Sequence, residues 1–169
     1  MRSSAWIAAR TPISRHAFLT LRRQQQLIAA GILATRGPGL PFAIAAQFAS
    51  PVRQVVAIVG DGGFAMLMAE LSTAVRNQLS LKGNRNAQQH ARRSRVRAEE
   101  FRNPPYGCEL GGIDFAQVAM ACDAHGFRCK DPATLRASIA ATLASRRTAL
   151  LELHVDPAEP ISMPHQLKA

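Results

Sequence analysis

Three glycines and one carboxylate occur together at residues 60–64, Gly-Asp-Gly-Gly-Phe. Gly60, Gly62 and Gly63 lack the Cβ atoms that would keep an oxyanion away from the backbone, and they permit positive φ. Their N–H groups can therefore point at phosphate oxygens, while Asp61 offers a hard oxygen ligand to Mg²⁺. Because a carboxylate repels a phosphate, a bridging divalent cation is needed to hold both. These residue types predict a diphosphate–metal site, with a solvated aspartate in an ordinary turn as the alternative.

The segments on either side of this glycine stretch are predicted as a strand and a helix. Residues 54–59, Gln-Val-Val-Ala-Ile-Val, are typical of a buried strand. Residues 65–78 place Met66, Leu71 and Val75 on one helical stripe. The N-terminus of that helix would add its partial positive charge to a phosphate held at the turn. An α/β fold can hold a phosphate at such a strand–turn–helix junction.

Strands alternate with helices along the rest of the chain. Helices are predicted at 42–49, 65–78, 115–122 and 131–145, and strands at 54–59, 126–129 and 149–155. Asp114 and Asp131 precede two of these helices as suitable N-caps. Residues 79–82 should open a further strand, but the polar stretch 83–90 does not continue it. The alternation predicts an α/β fold, a doubly wound parallel sheet with helices on both faces, incomplete at that strand.

Length and composition indicate about one globular domain. The chain has 169 residues, of which 47% are hydrophobic. No apolar run reaches the roughly 18 residues of a membrane span. The cysteines Cys108, Cys122 and Cys129 show neither metal-site spacing nor a disulfide framework. A reducing cytoplasm is therefore the expected location.

The formal charge of +10 raises the question of nucleic-acid binding. Residues 1–36 hold six Arg and no acid, and residues 82–102 hold seven Lys or Arg against two Glu. Both blocks lack clear hydrophobic periodicity, and the rest of the chain is close to neutral. A basic face of a folded domain would be spread over its patterned helices, so nucleic-acid binding is disfavoured. The first block, rich in Arg and free of acids, also fits a transit peptide.

Several motifs agree in order and spacing with one protein family. GPGLP at 37–41, RQVVA at 53–57, GDGGFAMLM at 60–68 and TAVR at 73–76 resemble thiamine diphosphate-dependent enzymes, with pyruvate oxidase as the most similar group and acetolactate synthase as a near relative. NPPYGCEL at 103–110, IDFA at 113–116 and VDP at 155–157 are similar to pyruvate oxidase. The resemblance implies an N-terminal segment at 1–33, a thiamine diphosphate-binding domain at 34–162 with an anomalous basic segment at 83–102, and a tail at 163–169.

The resemblance also implies a cofactor and roles for the glycine stretch. In this family the C-terminal domain binds the small-molecule cofactor thiamine diphosphate through Mg²⁺. Asp61 would be a metal ligand, and the amides around Gly60, Gly62 and Gly63 would hold the diphosphate. The cofactor attacks the carbonyl of a 2-oxo acid, while the protein supplies binding and electrostatics. The implied activity is that of a pyruvate-type decarboxylating enzyme.

Two parts of the implied site depart from the family pattern. Thr35 and Arg36 would lie beside the aminopyrimidine ring of the cofactor. Arg36 replaces the apolar residue that usually props the bent cofactor, and its charge must be solvated or paired. The family's Asn-Asn pair, which completes the metal site, corresponds to Gln88-Gln89. Gln88 can offer an amide oxygen to the metal with a longer reach.

The polar segment 83–102 has an explanation at the level of the gene. Residues 87–92, Ala-Gln-Gln-His-Ala-Arg, have possible codons that give Arg-Asn-Asn-Thr-Leu-Gly when read one base later. That reading contains the family's Asn-Asn-x-x-Gly pattern, so a frame-shifted segment is our hypothesis. Two CAG codons for the glutamines would give Ser-Ser instead and exclude it. Asn84 and Asn86 are alternative metal ligands by residue type, at an earlier register.

Family members carry a further N-terminal domain, whose glutamate activates the cofactor, and their sites lie between two subunits. This chain is too short for that domain, and its segment Trp6–Arg10 resembles one that follows the first strand of the cofactor-binding domain. Activity is therefore expected to need a homo-oligomer or a separate chain, and the isolated chain is expected to be an inactive fragment. The alternatives are a remnant without cofactor binding and a basic nucleic-acid-binding protein.

Overall fold

The structure is a computed structural model that describes residues 5–10, 21–22, 24–29, 37–87, 101–104, 106–107 and 111–155. The strands are β1 (Ala5–Arg10), β2 (Gln26–Ala29), β3 (Gln54–Gly60), β4 (Lys82–Ala87), β5 (His125–Cys129) and β6 (Ala149–His154). The helices are α1 (Gly39–Ala49), α2 (Asp61–Leu67), α3 (Glu70–Arg76), α4 (Phe115–Ala121) and α5 (Leu135–Ala144), with a short 3₁₀ helix at Pro132–Thr134 before α5.

All of these strands pair in parallel in one sheet, in the order β2-β1-β3-β4-β6-β5. The main core joins α1, α2, α3 and α4 to alternate residues of β3, with Val55, Ala57 and Val59 buried. Helix α5 packs against β5 and β6. Because every residue from Ala149 to Glu152 is buried, both faces of the sheet are covered at β6. The predicted α/β fold, a parallel sheet with helices, is confirmed.

The strand predicted to be missing after Lys82 is present. β4 pairs with β3 on one side and with β6 on the other, in the middle of the sheet. The prediction was wrong because apolar periodicity reports side-chain burial, whereas the N–H and C=O groups of a central strand are satisfied by its two neighbours. Gly83 contributes a close fit, since a Cβ there would lie 2.9 Å from Leu150 Cδ1.

The helix predicted over residues 65–78 is two helices, and the first begins earlier. α2 begins at Asp61, directly after β3, so no separate turn intervenes. Between α2 and α3 the N–H of Leu71 donates to Met68 C=O, and the N–H of Ser72 donates to Ala69 C=O. These i to i+3 bonds are tighter than those of an α-helix and interrupt it.

The N-terminal segment, ambiguous in sequence, supplies β1 and β2. The segment Trp6–Arg10, which the resemblance placed after the domain's first strand, lies within β1. β1 pairs with β3 over its whole length and with β2 on its other side. Half of the residues of β1 are alanine and β2 has only four residues, so neither shows the β-branched run from which β3 was predicted.

Two smaller predictions are confirmed. The Asp114 carboxylate accepts a hydrogen bond from the N–H of Gln117 at 2.9 Å and caps α4, and Asp131 accepts from the N–H of Ala133 at 2.9 Å. Within the described ranges Cys122 and Cys129 are free cysteines, whereas Cys108 lies outside them. None of the described helices is long and apolar enough to cross a membrane.

Candidate functional site

The glycine stretch lies at the carboxyl edge of the sheet, beside the point where the strand order reverses. From β1 the chain places β2 on one side and β3 on the other, so a topological switch point falls between β1 and β3. β3 ends at Gly60, and α2 begins at Asp61. Open α/β sheets bind ligands at such a crevice, outside the carboxyl ends of the strands.

The carboxylate of Asp61 is held at this junction. Asp61 is only 8% exposed, and its Oδ1 accepts a hydrogen bond from the N–H of Gly62 at 2.8 Å. Gly60 precedes it in an extended conformation, with φ −77° and ψ 163°. The burial excludes the fully solvated aspartate of the alternative interpretation. Hydrogen-bond donors and cations both stabilise a buried carboxylate, so Asp61 is a suitable residue for binding a cation at this junction.

The glycines of this stretch allow close packing at Gly63 and leave space at Gly60, and none of them adopts the positive φ that glycine permits. Among the described glycines, positive φ occurs at Gly37, Gly107 and Gly111, and not at positions 60, 62 or 63. Gly62 and Gly63 lie in the first turn of α2, where backbone N–H groups have no partner within the helix. Among the described residues outside its chain neighbours, a Cβ on Gly60 would meet nothing within 4 Å. The junction therefore combines space at Gly60 with the first-turn N–H groups of α2, of which that of Gly62 donates to Asp61 Oδ1.

Gly37 lies just before α1, which begins at Gly39 within the predicted turn 37–41, and it packs against α2. A Cβ on Gly63 would lie 3.4 Å from the N atom of Gly37, and a Cβ on Gly37 would lie 3.2 Å from Leu67 Cδ1. Gly37 has φ +97°, a conformation that side chains disfavour. The structure thus brings together two motifs that are some twenty residues apart in the sequence. The positions of Thr35 and Arg36 fall just before this turn and outside the described residues.

The end of β4 lies next to the glycine stretch. Asn86 pairs with Gly60 in the parallel register between β3 and β4. This backbone placement puts Asn86, an alternative ligand by residue type, beside the strand that leads into Asp61. Gln88, the ligand position implied by the resemblance, lies outside the described residues.

The donors present fit Mg²⁺ together with a diphosphate. Among the described residues, no group of three or more His, Cys, Asp or Glu could hold a metal by itself. Mg²⁺ is commonly bound by one or two carboxylates, with phosphate oxygens and waters completing its shell. A single buried Asp61 beside the first turn of a helix matches that pattern, because the helix can hold the phosphates and the carboxylate can hold the cation.

A second polar cluster occupies the same edge of the sheet and was missed by sequence reasoning. The Glu152 side chain is buried on β6, with Arg128 Nε 3.7 Å from its Oε2 and His154 Nε2 3.5 Å from its Oε1. Arg128 also forms an ion pair with Asp114. Its guanidinium and the N–H of Gln117 lower the pKa of the Asp114 carboxyl, and Asp114 raises the pKa of Arg128. The only sequence signal is a Glu and a His two residues apart on one strand.

Comparison with known proteins identifies the family. A family model, the C-terminal TPP binding domain of thiamine pyrophosphate enzymes, matches residues 10–153. YdaP of Bacillus subtilis (strain 168), a protein named for thiamine pyrophosphate, is 36% identical over 120 residues, which are 69% of this chain and 20% of YdaP. The mitochondrial acetolactate synthase catalytic subunit of Aspergillus candidus is 30% identical over 141 residues, 83% of this chain and 20% of that protein. The chain thus spans about a fifth of the length of these relatives.

A solved structure shows the same fold. The thiamine diphosphate-dependent 4-hydroxybenzoylformate decarboxylase of Rhodococcus jostii RHA1 matches with a TM-score of 0.73, over 79% of this chain and 25% of that one, at 23% identity. The family model over residues 10–153 confirms the family that the motifs predicted. Thiamine pyrophosphate and thiamine diphosphate are two names for one cofactor, which this family binds with Mg²⁺. The chain belongs to the thiamine pyrophosphate enzymes as their C-terminal cofactor-binding domain.

Proposed function

We propose that this chain holds the Mg²⁺–diphosphate part of thiamine diphosphate for a pyruvate-type enzyme that decarboxylates 2-oxo acids. The observation that carries the proposal is the buried carboxylate of Asp61 at the switch point, directly before the glycines of α2. Carboxylate, open space and helical donors are the three features that a metal-bridged diphosphate requires at one place.

Each predicted site residue has a role in this proposal. Asp61 binds Mg²⁺, and the N–H group of Gly63 donates to the diphosphate. Gly62, whose N–H donates to Asp61 Oδ1, lets the diphosphate approach because it has no Cβ. Gly60 leaves room for it, since among the described residues outside its chain neighbours no atom lies within 4 Å of the position of a Cβ there. Gln88 offers the second side-chain oxygen to the metal. Thr35 and Arg36 lie beside the aminopyrimidine, in continuation of the turn at Gly37.

The chemistry that thiamine diphosphate supplies when bound is nucleophilic attack on a carbonyl and an electron sink. The described part of the chain supplies binding and orientation at one end of the cofactor. We propose that the acid that activates the aminopyrimidine comes from another domain, either in a homo-oligomer or on a separate chain in a reducing cytoplasm. The short span relative to the relatives supports a fragment of such an enzyme.

We also propose that residues 83–102 arise from a shifted reading frame. The polar composition of this segment motivates the idea, and the presence of β4 is compatible with it, because backbone pairing depends little on side-chain type. Sequencing the gene tests it. We expect CAA codons at Gln88 and Gln89, which restore the family's Asn-Asn pair when read one base later, and CAG codons at both glutamines would refute the idea.

Calorimetric titration tests cofactor binding. The full chain is titrated with thiamine diphosphate in the presence of Mg²⁺, and thiamine without the diphosphate serves as the control ligand. We expect saturable heat with thiamine diphosphate and little with thiamine, because the proposed contacts are to the diphosphate. Absence of heat at millimolar cofactor would instead support a remnant that binds no cofactor.

A further inference from the structure

We propose that Glu152 is a positioning residue for the Asp61 junction, acting from β6 through helix α4 and an aromatic contact. For its ligand the inference rests on the proposed function. That Glu152 controls the position of the start of α2 is inferred from contacts within the chain.

Glu152 fixes the start of α4. It is only 2% exposed, and its Oε2 accepts a hydrogen bond from the N–H of Ala116 at 3.0 Å. Ala116 lies in the first turn of α4, where N–H groups have no partner within the helix. This bond therefore fixes the start of the short helix α4 relative to strand β6.

Two further side chains, those of Arg128 and His154, hold the Glu152 side chain in place. Arg128 reaches it from β5 and also pairs with Asp114, the N-cap of α4. His154 lies on its other oxygen, two residues farther along β6. The carboxylate thus connects β5, β6 and α4, and its position is set by several contacts rather than by one.

An aromatic contact between α4 and α2 makes the position of α2 depend on that of α4. Phe115, the residue before Ala116, packs its ring against Phe64 with centroids 5.3 Å apart and planes at 81°. Both rings are fully buried, so neither has free space into which it could move. Such edge-to-face pairs prefer a defined geometry.

Phe64 in turn fixes the part of α2 that carries the site. It lies three residues after Asp61, on the same side of a helix of seven residues. A shift of Phe64 therefore moves Asp61 and the N–H groups of the first turn together. Glu152, Phe115 and Phe64 form a continuous line of contacts that ends at the junction.

The test compares two substitutions of Glu152 with a matched control in the full chain. Glu152→Leu removes the acceptor for Ala116, and Glu152→Gln restores an uncharged one. Thr148→Val is the control, because the Thr148 hydroxyl is also buried and donates to the C=O of Leu79 at 2.6 Å. That bond lies at the opposite edge of the sheet. The two readouts are the amide NMR signals of Gly62 and Gly63 without ligand, and the affinity for Mg²⁺ with inorganic pyrophosphate.

We expect Glu152→Leu to displace both glycine signals and to weaken pyrophosphate binding about fivefold. Glu152→Gln should return the glycine signals and the affinity close to the wild-type values, while Thr148→Val should lower stability and leave both readouts unchanged. Glycine signals that stay in place in Glu152→Leu, or that move equally in Thr148→Val, would overturn the proposal. Wild-type protein that binds no pyrophosphate would refute the proposed function, and the glycine signals would still decide the positioning.

A variant of the aromatic contact covers the case in which Glu152→Leu does not fold. Phe115→Leu keeps an apolar side chain and removes the ring that meets Phe64. We expect it to displace the signals of Gly62 and Gly63 while the Glu152–Ala116 bond remains. Unchanged glycine signals in a folded Phe115→Leu protein would contradict transmission through this contact.

Discussion

Asp61 and Gly60 are neighbours with opposite contributions to the site, since one brings charge and the other brings space. The Asp61 carboxylate is buried and bonded to the N–H of Gly62. Gly60 leaves its Cβ position open in a conformation that any residue can adopt. Substitutions at the two positions therefore separate effects on ligand binding from effects on folding.

Gly60→Ala should lower cofactor affinity without loss of stability. The new methyl group meets no atom of the described residues beyond its chain neighbours, and a less flexible unfolded chain should raise stability by about 0.4–1 kcal/mol. If the diphosphate occupies this space, affinity for thiamine diphosphate falls about tenfold, or 1.4 kcal/mol. Chemical unfolding and calorimetry measure the two effects, with Gly112→Ala as the control, because its Cβ position is also open. Unchanged affinity would contradict a diphosphate at Gly60.

Residue type pointed to Asp61 and the glycines because a carboxylate among glycines offers a metal ligand and a close approach to the backbone at one place. The same reasoning could not find Glu152, whose partners Ala116 and Arg128 come from separate elements. Nor could it place Asn86 beside Gly60, since that neighbour depends on the register of a strand that the sequence did not predict. The spacing of residues in the sequence does not predict contacts between separate elements of the fold.

At the scale of elements, helix α4 approaches β5 closely at one glycine. A Cβ on Gly126 would lie 2.2 Å from the C=O oxygen of Ala116. Gly126→Ala must therefore push α4 away from the sheet, and we expect a loss of about 3 kcal/mol in the free energy of unfolding. Urea denaturation measures it, and Gly60→Ala is the matched control at an open position. Equal stability of the two variants would show that α4 does not pack at this distance.

The start of β4 holds a buried lysine that makes stability depend on pH. Lys82 is 3% exposed, its Nζ donates to the C=O of Arg147 at 2.8 Å, and burial lowers its pKa from 10.5 to about 8. Between these pH values the unfolded chain still holds the proton that the folded chain has released. The free energy of unfolding therefore rises with pH in this range, by about 3 kcal/mol from this group.

Lys82→Met tests the pH dependence by removing the titrating group. We expect the stability of the wild-type protein relative to this variant to rise between pH 8 and 10.5 and to be constant below pH 8. Urea denaturation at several pH values gives the difference, in which other titrating groups cancel. Parallel stability curves for the two proteins would contradict a lowered pKa at Lys82.

Elements with a clear hydrophobic run or a capping residue could be predicted from the sequence. Strands that depend on backbone pairing with their neighbours could not. β3 and α4 have buried runs or caps that act locally, and both lie close to their predicted bounds. β4 begins at the buried Lys82, directly after the buried Leu81, and continues through polar residues, so its existence depends on pairing with two neighbours. Periodicity, which detects only the burial of side chains, underestimates such strands.

For the whole molecule, the chain is expected to bind cofactor without turning over substrate. It spans about a fifth of its relatives, and the proposed activating acid lies in another domain. The purified chain with thiamine diphosphate and Mg²⁺ should release no CO₂ from pyruvate above the level of cofactor alone. A coupled assay measures the release, and decarboxylation by the chain would show that it contains its own activating group.

The most direct test of the account is the Mg²⁺ dependence of thiamine diphosphate binding in Asp61→Asn. Asn keeps the size of the side chain and removes its charge, and Asp123→Asn is the control, because the Asp123 side chain is 81% exposed. We expect calorimetry to show Mg²⁺-dependent binding in the wild-type protein and the control, and at least about tenfold weaker binding in Asp61→Asn. Equal affinity of all three proteins, or binding that persists without Mg²⁺, would contradict a metal-bridged diphosphate at Asp61.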